Sequence, residues 1–411
     1  TSTNSSIGLI YALKKIFMIF KKCLLVIKTI FKAKYFFREP EKKELLIFDG
    51  ESLEELQNVL TGLSYQILET RFNRLNKIFI TPNIIFQKFK NFRKNIFNSY
   101  LLTLIDIIKP KVVFTFIDNS FRFSEFASLR HKNYKFVALQ NGARYEQKIF
   151  QVLYKRKIID KNEFRFYIPY FFCFGENEIQ DYKKNKQLVK KFTKVGSLRV
   201  SNYLNLKKNK KKINKKLDND ILLISDVYCW DKIIEKTNFP IEQGVAKLLK
   251  FCVRFAIKNK SKIKIATRSF KNYFEKENSF YKKYLNDQEY NYLVKNLFYR
   301  QEKYATYKMM EKSKIVLGTM STLLRENLFI DGKTLSCNFT GTDIFDFPIK
   351  GLCSLKNCNY DIFEKRVKKL LNVSNKNYLA GLEKDKSFLI FKNGKNSTIK
   401  LVNSKLKSLL K

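Results

Sequence analysis

The chain has 411 residues, 45% of them apolar and 15% aromatic, and carries 81 lysines and arginines against 37 acidic side chains, a formal charge of +44. The apolar fraction excludes global disorder and leaves room for two or three domains with packed cores. The charge does not mark a nucleic-acid binder: the lysines run the whole length among Asn, Ile, Phe and Tyr, as AT-rich codons would give, and no zinc-finger, RRM or KH pattern gathers them into a module.

Two residue types narrow the chemistry further. The seven cysteines (Cys23, Cys173, Cys229, Cys252, Cys337, Cys353 and Cys358) are odd in number and form no C-x-x-C pair, which points to a reducing compartment and to small core residues. The single histidine, His131, excludes a multi-histidine metal site, and its Arg130-His131-Lys132-Asn133 setting is a surface turn between a helix and a strand.

Between Ile7 and Phe37 apolar residues are interrupted by Lys14, Lys15, Lys21, Lys22, Lys28 and Lys32, so no uncharged run is long enough to span a bilayer. At helical spacing these lysines face away from Ile16, Phe17, Phe20, Leu24, Ile27 and Phe31. Residues 1–43 are therefore expected to form a basic amphipathic segment. It either lies in an anionic inner-leaflet interface or packs on the protein body with its lysines in water.

From Glu44 the pattern alternates between strands and helices. Leu45–Phe48 is a compact apolar run, followed by Asp49-Gly50-Glu51-Ser52 and the helical period of Leu53, Leu56, Val59 and Leu60, which opens a Rossmann-like domain over 44–203. Further strands are expected at Gln66–Leu68, Ile78–Ile80, Val112–Phe116, Phe136–Leu139 and Phe171–Phe174, and a helix ends at Pro110. Residues 204–220, with Lys207, Lys208, Lys210, Lys211, Lys212, Lys215 and Lys216, are too polar for a core and read as a linker. A second α/β series fills 221–375: strands at Ile221–Ile224, Ile263–Ala266, Ile315–Leu317 and Thr334–Ser336, with helices at Gln243–Ala256, Leu323–Phe329 and Asp361–Leu371. The segment 376–411 is weakly periodic and reads as a peripheral helix. Two parallel sheets joined by a linker place a ligand cleft between their carboxyl edges.

Polar clusters sit at these strand ends. In the second domain the strand stops at Gly318 and turns through Thr319 and Met320 to Ser321 and Thr322 at a helix N-terminus, where unpaired amides and the helix dipole favour an anion. The same residues also make an ordinary capped turn. Arg268 ends another strand, suited to a diphosphate or to a surface ion pair. In the first domain, Asp118-Asn119-Ser120, Gln140-Asn141-Gly142-Ala143-Arg144 with Glu146, and Gly175-Glu176 open onto one edge. Asp118 suits a general base or nucleophile, Glu146 or Glu176 an acid partner, and Arg144 an anion clamp, each against the alternative of a cap or turn residue. Gly196-Ser197 permits close approach across the cleft, and Arg199 suits a phosphate.

The order of these pieces carries a resemblance. A Gln140-x-Gly142-x-Arg144 turn, Phe174-Gly175-Glu176, Gly196-Ser197-Leu198-Arg199, a linker, then Gly318-Thr319-x-Ser321-Thr322-Leu323-x-x-Glu326 resembles bacterial surface carbohydrate biosynthesis proteins of the capsule and O-antigen kind. More distantly, it is similar to GT-B glycosyltransferases and polymer glycerophosphotransferases. The resemblance covers about Glu44 to Leu371. It implies an α/β fold of two Rossmann-like domains facing a cleft, and a nucleotide-activated sugar held by Arg199, Arg268, Gly318, Thr319, Ser321 and Thr322, with Glu326 near the ribose. An acceptor glycan, free or lipid-linked, would be held by Asn119, Gln140, Asn141, Gly142 and Arg144. Asp118, Glu146 and Glu176 are the candidate catalytic groups. No metal or cofactor is implied, and the expected place is the cytoplasm or the inner membrane face. Related transferases often carry His-Gly where this chain has Asn141-Gly142, and asparagine cannot take a proton. The alternatives are a UDP-sugar 2-epimerase and a relative that binds nucleotide or glycan without turnover.

Overall fold

A computed structural model describes residues 24, 28–29, 31–91, 95–144, 165–208, 217–227, 240–268, 274–349, 351–382, 387–392 and 397–411. Among them are fourteen strands. The first eight are β1 (Lys34–Phe36), β2 (Leu45–Phe48), β3 (Tyr65–Leu68), β4 (Lys77–Phe79), β5 (Val112–Thr115), β6 (Lys135–Leu139), β7 (Tyr167–Cys173) and β8 (Leu188–Lys194). The rest are β9 (Asn219–Ile224), β10 (Ile263–Ala266), β11 (Leu297–Phe298), β12 (Ser313–Gly318), β13 (Lys333–Asn338) and β14 (Ser354–Lys356). They form two six-stranded sheets, ordered β3-β2-β5-β6-β7-β8 and β11-β10-β9-β12-β13-β14, and a small β1-β4 pair. Every strand pairing is parallel.

Parallel strands need helical crossovers, and helices on both faces bury the central strands on both sides. Hence β2, β5 and the apolar part of β12 are continuous buried runs. The order reverses direction between β2 and β5 in the first sheet and between β9 and β12 in the second, and each reversal opens a crevice at the carboxyl edge. Asp49 and Asp118 follow the first pair of strands; Asp226 and Thr319 follow the second. The β/α series expected from Glu44 and from Ile221 is present, with an expected strand in each main sheet except Ile78–Ile80, whose strand β4 pairs with β1 instead.

Three expectations are corrected. The linker is shorter at its start than its lysines suggest, because Leu204–Lys208 continue the helix Leu198–Lys208; residues 209–216 lie outside the described residues. The C-terminal helix Thr398–Leu410 is not peripheral: Val402 and Leu406 are fully buried in the core of the first sheet with Ile47, Val59 and Phe114. The chain thus returns from the second sheet to the first, and Phe391 donates its amide to the Phe174 carbonyl on the way. Finally, Lys34–Phe36 is a strand where an amphipathic helix to Phe37 was expected, while residues 1–23 of that segment lie outside the described residues.

His131 caps the helix Phe121–Arg130 just before β6, the turn its neighbours indicated. Cys173, Cys252, Cys337, Cys353 and Cys358 are buried free thiols, as core residues should be. No helix among the described residues is long and apolar enough to cross a membrane.

Candidate functional site

The second sheet builds its turn as the Gly318 motif indicates. β12 ends at Gly318, Ser321 caps the helix Thr322–Phe329 by accepting the Leu323 amide at 3.3 Å, and Ser336 Oγ holds the Thr319 carbonyl at 2.9 Å. The Thr319 and Met320 amides, however, are occupied. Both donate to Asp226 Oδ2, at 2.9 and 3.2 Å, so a carboxylate from the loop after the neighbouring strand β9 already sits where an anion was expected. Burial pushes the Asp226 carboxyl up, against the two amides and the Arg268 guanidinium, which pull it down. The Ser321 and Thr322 amides, one step further along the turn, have no acceptor among the described residues. They are the amides of this turn left for an anion to meet. Arg268 ends β10 with an exposed side chain; its amide donates to Glu277 and its carbonyl accepts from Arg300.

In the first sheet Asp118, Asn141, Arg144 and Arg199 converge on one another. Arg144 donates through Nε to Asp118 Oδ2 at 2.7 Å and through Nη2 to Asp118 Oδ1, and reaches Asn141 Oδ1 at 2.5 Å. Asp118 also accepts the Asn141 amide at 3.1 Å and is buried. With both oxygens engaged, Asp118 can meet another partner only when these bonds give way. Arg199 donates to the Asn141 carbonyl at 3.0 Å and lies over the Phe116 ring. Gln140 is a fully buried brace, donating to the Gly142 carbonyl and accepting the Phe174 amide. Asn119, next to Asp118 in sequence, is half-buried. Glu176 begins the helix Glu176–Lys184 and pairs with Lys194 at 3.3 Å, away from the Asp118 cluster's bonds. Glu146 lies outside the described residues.

The two edges meet. The Ala143 amide donates to Thr322 Oγ1 at 2.8 Å, and a Cβ on Gly142 would come within 3.2 Å of that oxygen, so the loop after β6 sits on the helix after β12. Ser197 Oγ donates to Glu326 Oε1 at 2.6 Å, and Tyr307 donates to Oε2 at 2.8 Å. Burial raises the Glu326 carboxyl, opposed by these bonds and by Arg199. Gly196, read as a place for a ligand to approach, is approached by the chain itself: its φ is +83° and a Cβ there would lie 2.5 Å from the Phe391 carbonyl oxygen.

One contact was not foreseen. Arg325, between Leu324 and Glu326 on the motif helix, is buried; it pairs bidentately with Glu178 of the first half and donates to the Phe388 carbonyl at 2.8 and 3.1 Å. The space beside it, lined by Ala143, Arg144, Glu178 and Phe388 among others, amounts to about 20 Å³. That is room for a water, far below the several hundred Å³ a nucleotide-sized ligand needs. The Ala143–Thr322 bond joins the two edges beside that space.

No protein-family model matches the sequence, and no curated protein matches it. Solved structures do resemble the chain. S. aureus MnaA, in a co-structure with UDP, superposes with a TM-score of 0.53 at 12% identity, covering 89% of this chain and 95% of that one. The α,α-trehalose 6-phosphate synthase of Burkholderia multivorans gives 0.50 at 8% identity over 90% and 96%. The wall teichoic acid polymerase TagF gives 0.48 at 10% identity over the whole of both chains. At these identities the likeness is one of fold, and it rests on the first two: the chain has the GT-B-like architecture of two Rossmann-like parallel sheets that the order of its motifs implies.

Proposed function

We propose that the chain is an enzyme that uses a nucleotide-activated sugar, and that it transfers the sugar to a surface polysaccharide or lipid-linked glycan at the inner membrane face. One observation carries this: the Asn141–Arg144 loop of the first sheet meets the N-terminus of the Thr322–Phe329 helix of the second through the Ala143–Thr322 bond. A diphosphate bound at the Ser321 and Thr322 amides would therefore face the polar loops of the opposite sheet. The helix dipole and the Arg199 and Arg268 guanidiniums would stabilise the charge that develops as the donor's C1–O bond breaks. Gly318 and Thr319 would shape the turn under the phosphates, and Glu326 would lie toward the ribose.

In that reaction an acceptor hydroxyl attacks C1, the nucleotide leaves with the bonding electrons, and the hydroxyl proton passes to a base. Asp118, Glu146 and Glu176 are the proposed carboxylates, with Asn119, Gln140, Asn141, Gly142 and Arg144 around the acceptor. Asp118 can serve only when Arg144 turns to another anion, such as the acceptor or donor phosphate. Arg144 thereby couples ligand arrival to base release.

A second reading is favoured by a specific observation. The Asp118 carboxylate is paired with Arg144, Asn141 stands where a histidine base is usual, and both Glu326 oxygens are bonded internally, as suits a relative that binds nucleotide without turnover. An epimerase acting on a UDP-sugar shares the fold and needs no acceptor.

Titration calorimetry of the full chain with UDP, CDP, GDP and CMP, followed by product analysis of the matching nucleotide sugar, separates the three. Binding with acceptor-dependent nucleotide release supports transfer. An epimerised sugar without acceptor supports the epimerase. Binding alone supports the non-catalytic relative, and no binding to any nucleotide sinks the proposal.

A further inference from the structure

The helix Pro82–Lys90 is inside out. Its buried side is Ile84, seated with Leu101 and Leu104 in the first sheet's core, and Asn91 at its end bonds to Thr103 and Asp106 of the helix Ile96–Ile108. Ile85, Phe86 and Phe89 point the other way and are 49%, 62% and 73% exposed. At about 100° per residue these three fall within a sector of roughly 100°, with Lys88 bordering one side and Lys90 the other. Lys90 Nζ sits 4.9 Å over the Phe86 ring, and among the described residues neither lysine has a carboxylate within ion-pair distance.

Neighbouring segments carry further exposed apolar side chains. Asn83 in its first turn donates to Glu39, two residues after Phe37, which is 80% exposed; β1 and β4 hold these two segments in register. Ile96, at the start of the next helix, is 64% exposed. That helix leads back into β5, so Ile96 lies toward the carboxyl edge of the first sheet, the edge bearing the Asp118 and Asn141 loops.

We infer that this face docks on an anionic lipid surface. Large apolar side chains with lysines on both flanks are the arrangement in which rings enter the interface while ammonium groups stay with the lipid phosphates. Charge complementarity decides between occupants. A second copy of a chain with a formal charge of +44 is repelled at a lysine-rimmed face, and the lysine-bearing stretch before Phe37 offers the same sign. Anionic lipid offers the opposite one. The inference is independent of nucleotide binding, which can persist when lipid binding fails.

The full chain is floated with phosphatidylcholine vesicles, with and without phosphatidylglycerol, beside F86S/F89S and K88E/K90E variants whose thermal unfolding is checked against wild type. Wild type is expected to float with the anionic vesicles alone. F86S/F89S should lower its partition at least about tenfold, since two rings lose their apolar transfer, and K88E/K90E should lose binding most at low salt. Should the double serine variant unfold early, F86S and F89S singly give the same test with smaller steps. A wild-type chain that ignores anionic vesicles overturns the inference. So does a serine variant that floats as well as wild type, which would assign the contact to another segment, or one that dissolves a wild-type dimer seen by sedimentation.

Discussion

The Asp226 carboxylate accepts the Thr319 amide at 2.9 Å, and in doing so holds the carboxyl ends of β9 and β12 together at the crevice of the second sheet. Oδ2 takes the Met320 amide as well, while Thr319 Oγ1 is buried without a hydrogen-bond partner among the described residues. The two amides of the turn are thus taken by a side chain of the chain itself.

This predicts a pH signature. Burial raises the Asp226 carboxyl above its unfolded value of about 3.9, so the folded state holds the proton more tightly. The stabilisation is fully present below the unfolded pKa and is lost as pH rises through the folded one. Asp226→Asn keeps an acceptor for both amides and has no proton to lose. Melting curves of wild type and variant should nearly coincide in acid and separate in the variant's favour toward neutrality. A variant clearly less stable than wild type at neutral pH would mean that the ionised carboxylate is held by its amides and Arg268, contrary to the prediction.

Arg325 and Glu178 give a second prediction, on stability. Removing one member of a buried, bidentate pair leaves an uncompensated charge, so Arg325→Met and Glu178→Leu should each cost about 3–5 kcal/mol in denaturant unfolding. The double variant should cost less than the sum, with the orphaned Phe388 carbonyl as its main residual penalty. Strict additivity of the two single losses would show that the pair does not act as a unit.

Gly196 predicts how the C-terminal segment is fastened. Ala at this position meets both a positive φ and the Phe391 carbonyl oxygen, for a cost of about 2–4 kcal/mol from left-handed strain and overlap together. Gly351→Ala is the control: its φ is +93° but nothing lies within 4 Å of its Cβ, so only the backbone cost of about 1–2 kcal/mol should appear. Trypsin should cut the lysine-rich end of the Gly196 variant sooner than that of the control. Equal protection of both would disconnect Gly196 from the docking of the helix Thr398–Leu410.

What the sequence disclosed follows burial. Leu45–Phe48, Val112–Thr115 and Ile221–Ile224 are central parallel strands, so nearly every side chain is apolar and the run announces itself. β8, Leu188-Val-Lys-Lys-Phe-Thr-Lys194, is the edge strand of the first sheet with its lysines in water, and its alternation is too weak to stand out. Turn chemistry was equally legible where it is local: Gly318 to Thr322 sit at a strand end and a helix start, and Asn141 to Arg144 at another strand end. What fills those turns was not. Asp226 lies 93 residues from Thr319, and Glu178 lies 147 from Arg325. Among 37 acidic and 81 basic side chains, no local pattern says which two will meet.

Arg199 supplies the prediction that bears most directly on donor binding. It donates to the Asn141 carbonyl, lies over Phe116, and lowers the Glu326 carboxyl across the interface, so its charge sits between the loop of one sheet and the motif helix of the other. A diphosphate at the Ser321 and Thr322 amides would gain a charge-assisted contact from it, worth about 1.5–3 kcal/mol. For whichever nucleotide gives a wild-type isotherm, Arg199→Met should weaken binding by about 10- to 100-fold. Arg199→Lys, which keeps the charge but not the planar fork, should restore part of the loss. If the methionine variant binds as tightly as wild type while its melting temperature falls, Arg199 is a clamp on the Asn141 loop and the phosphates lie elsewhere.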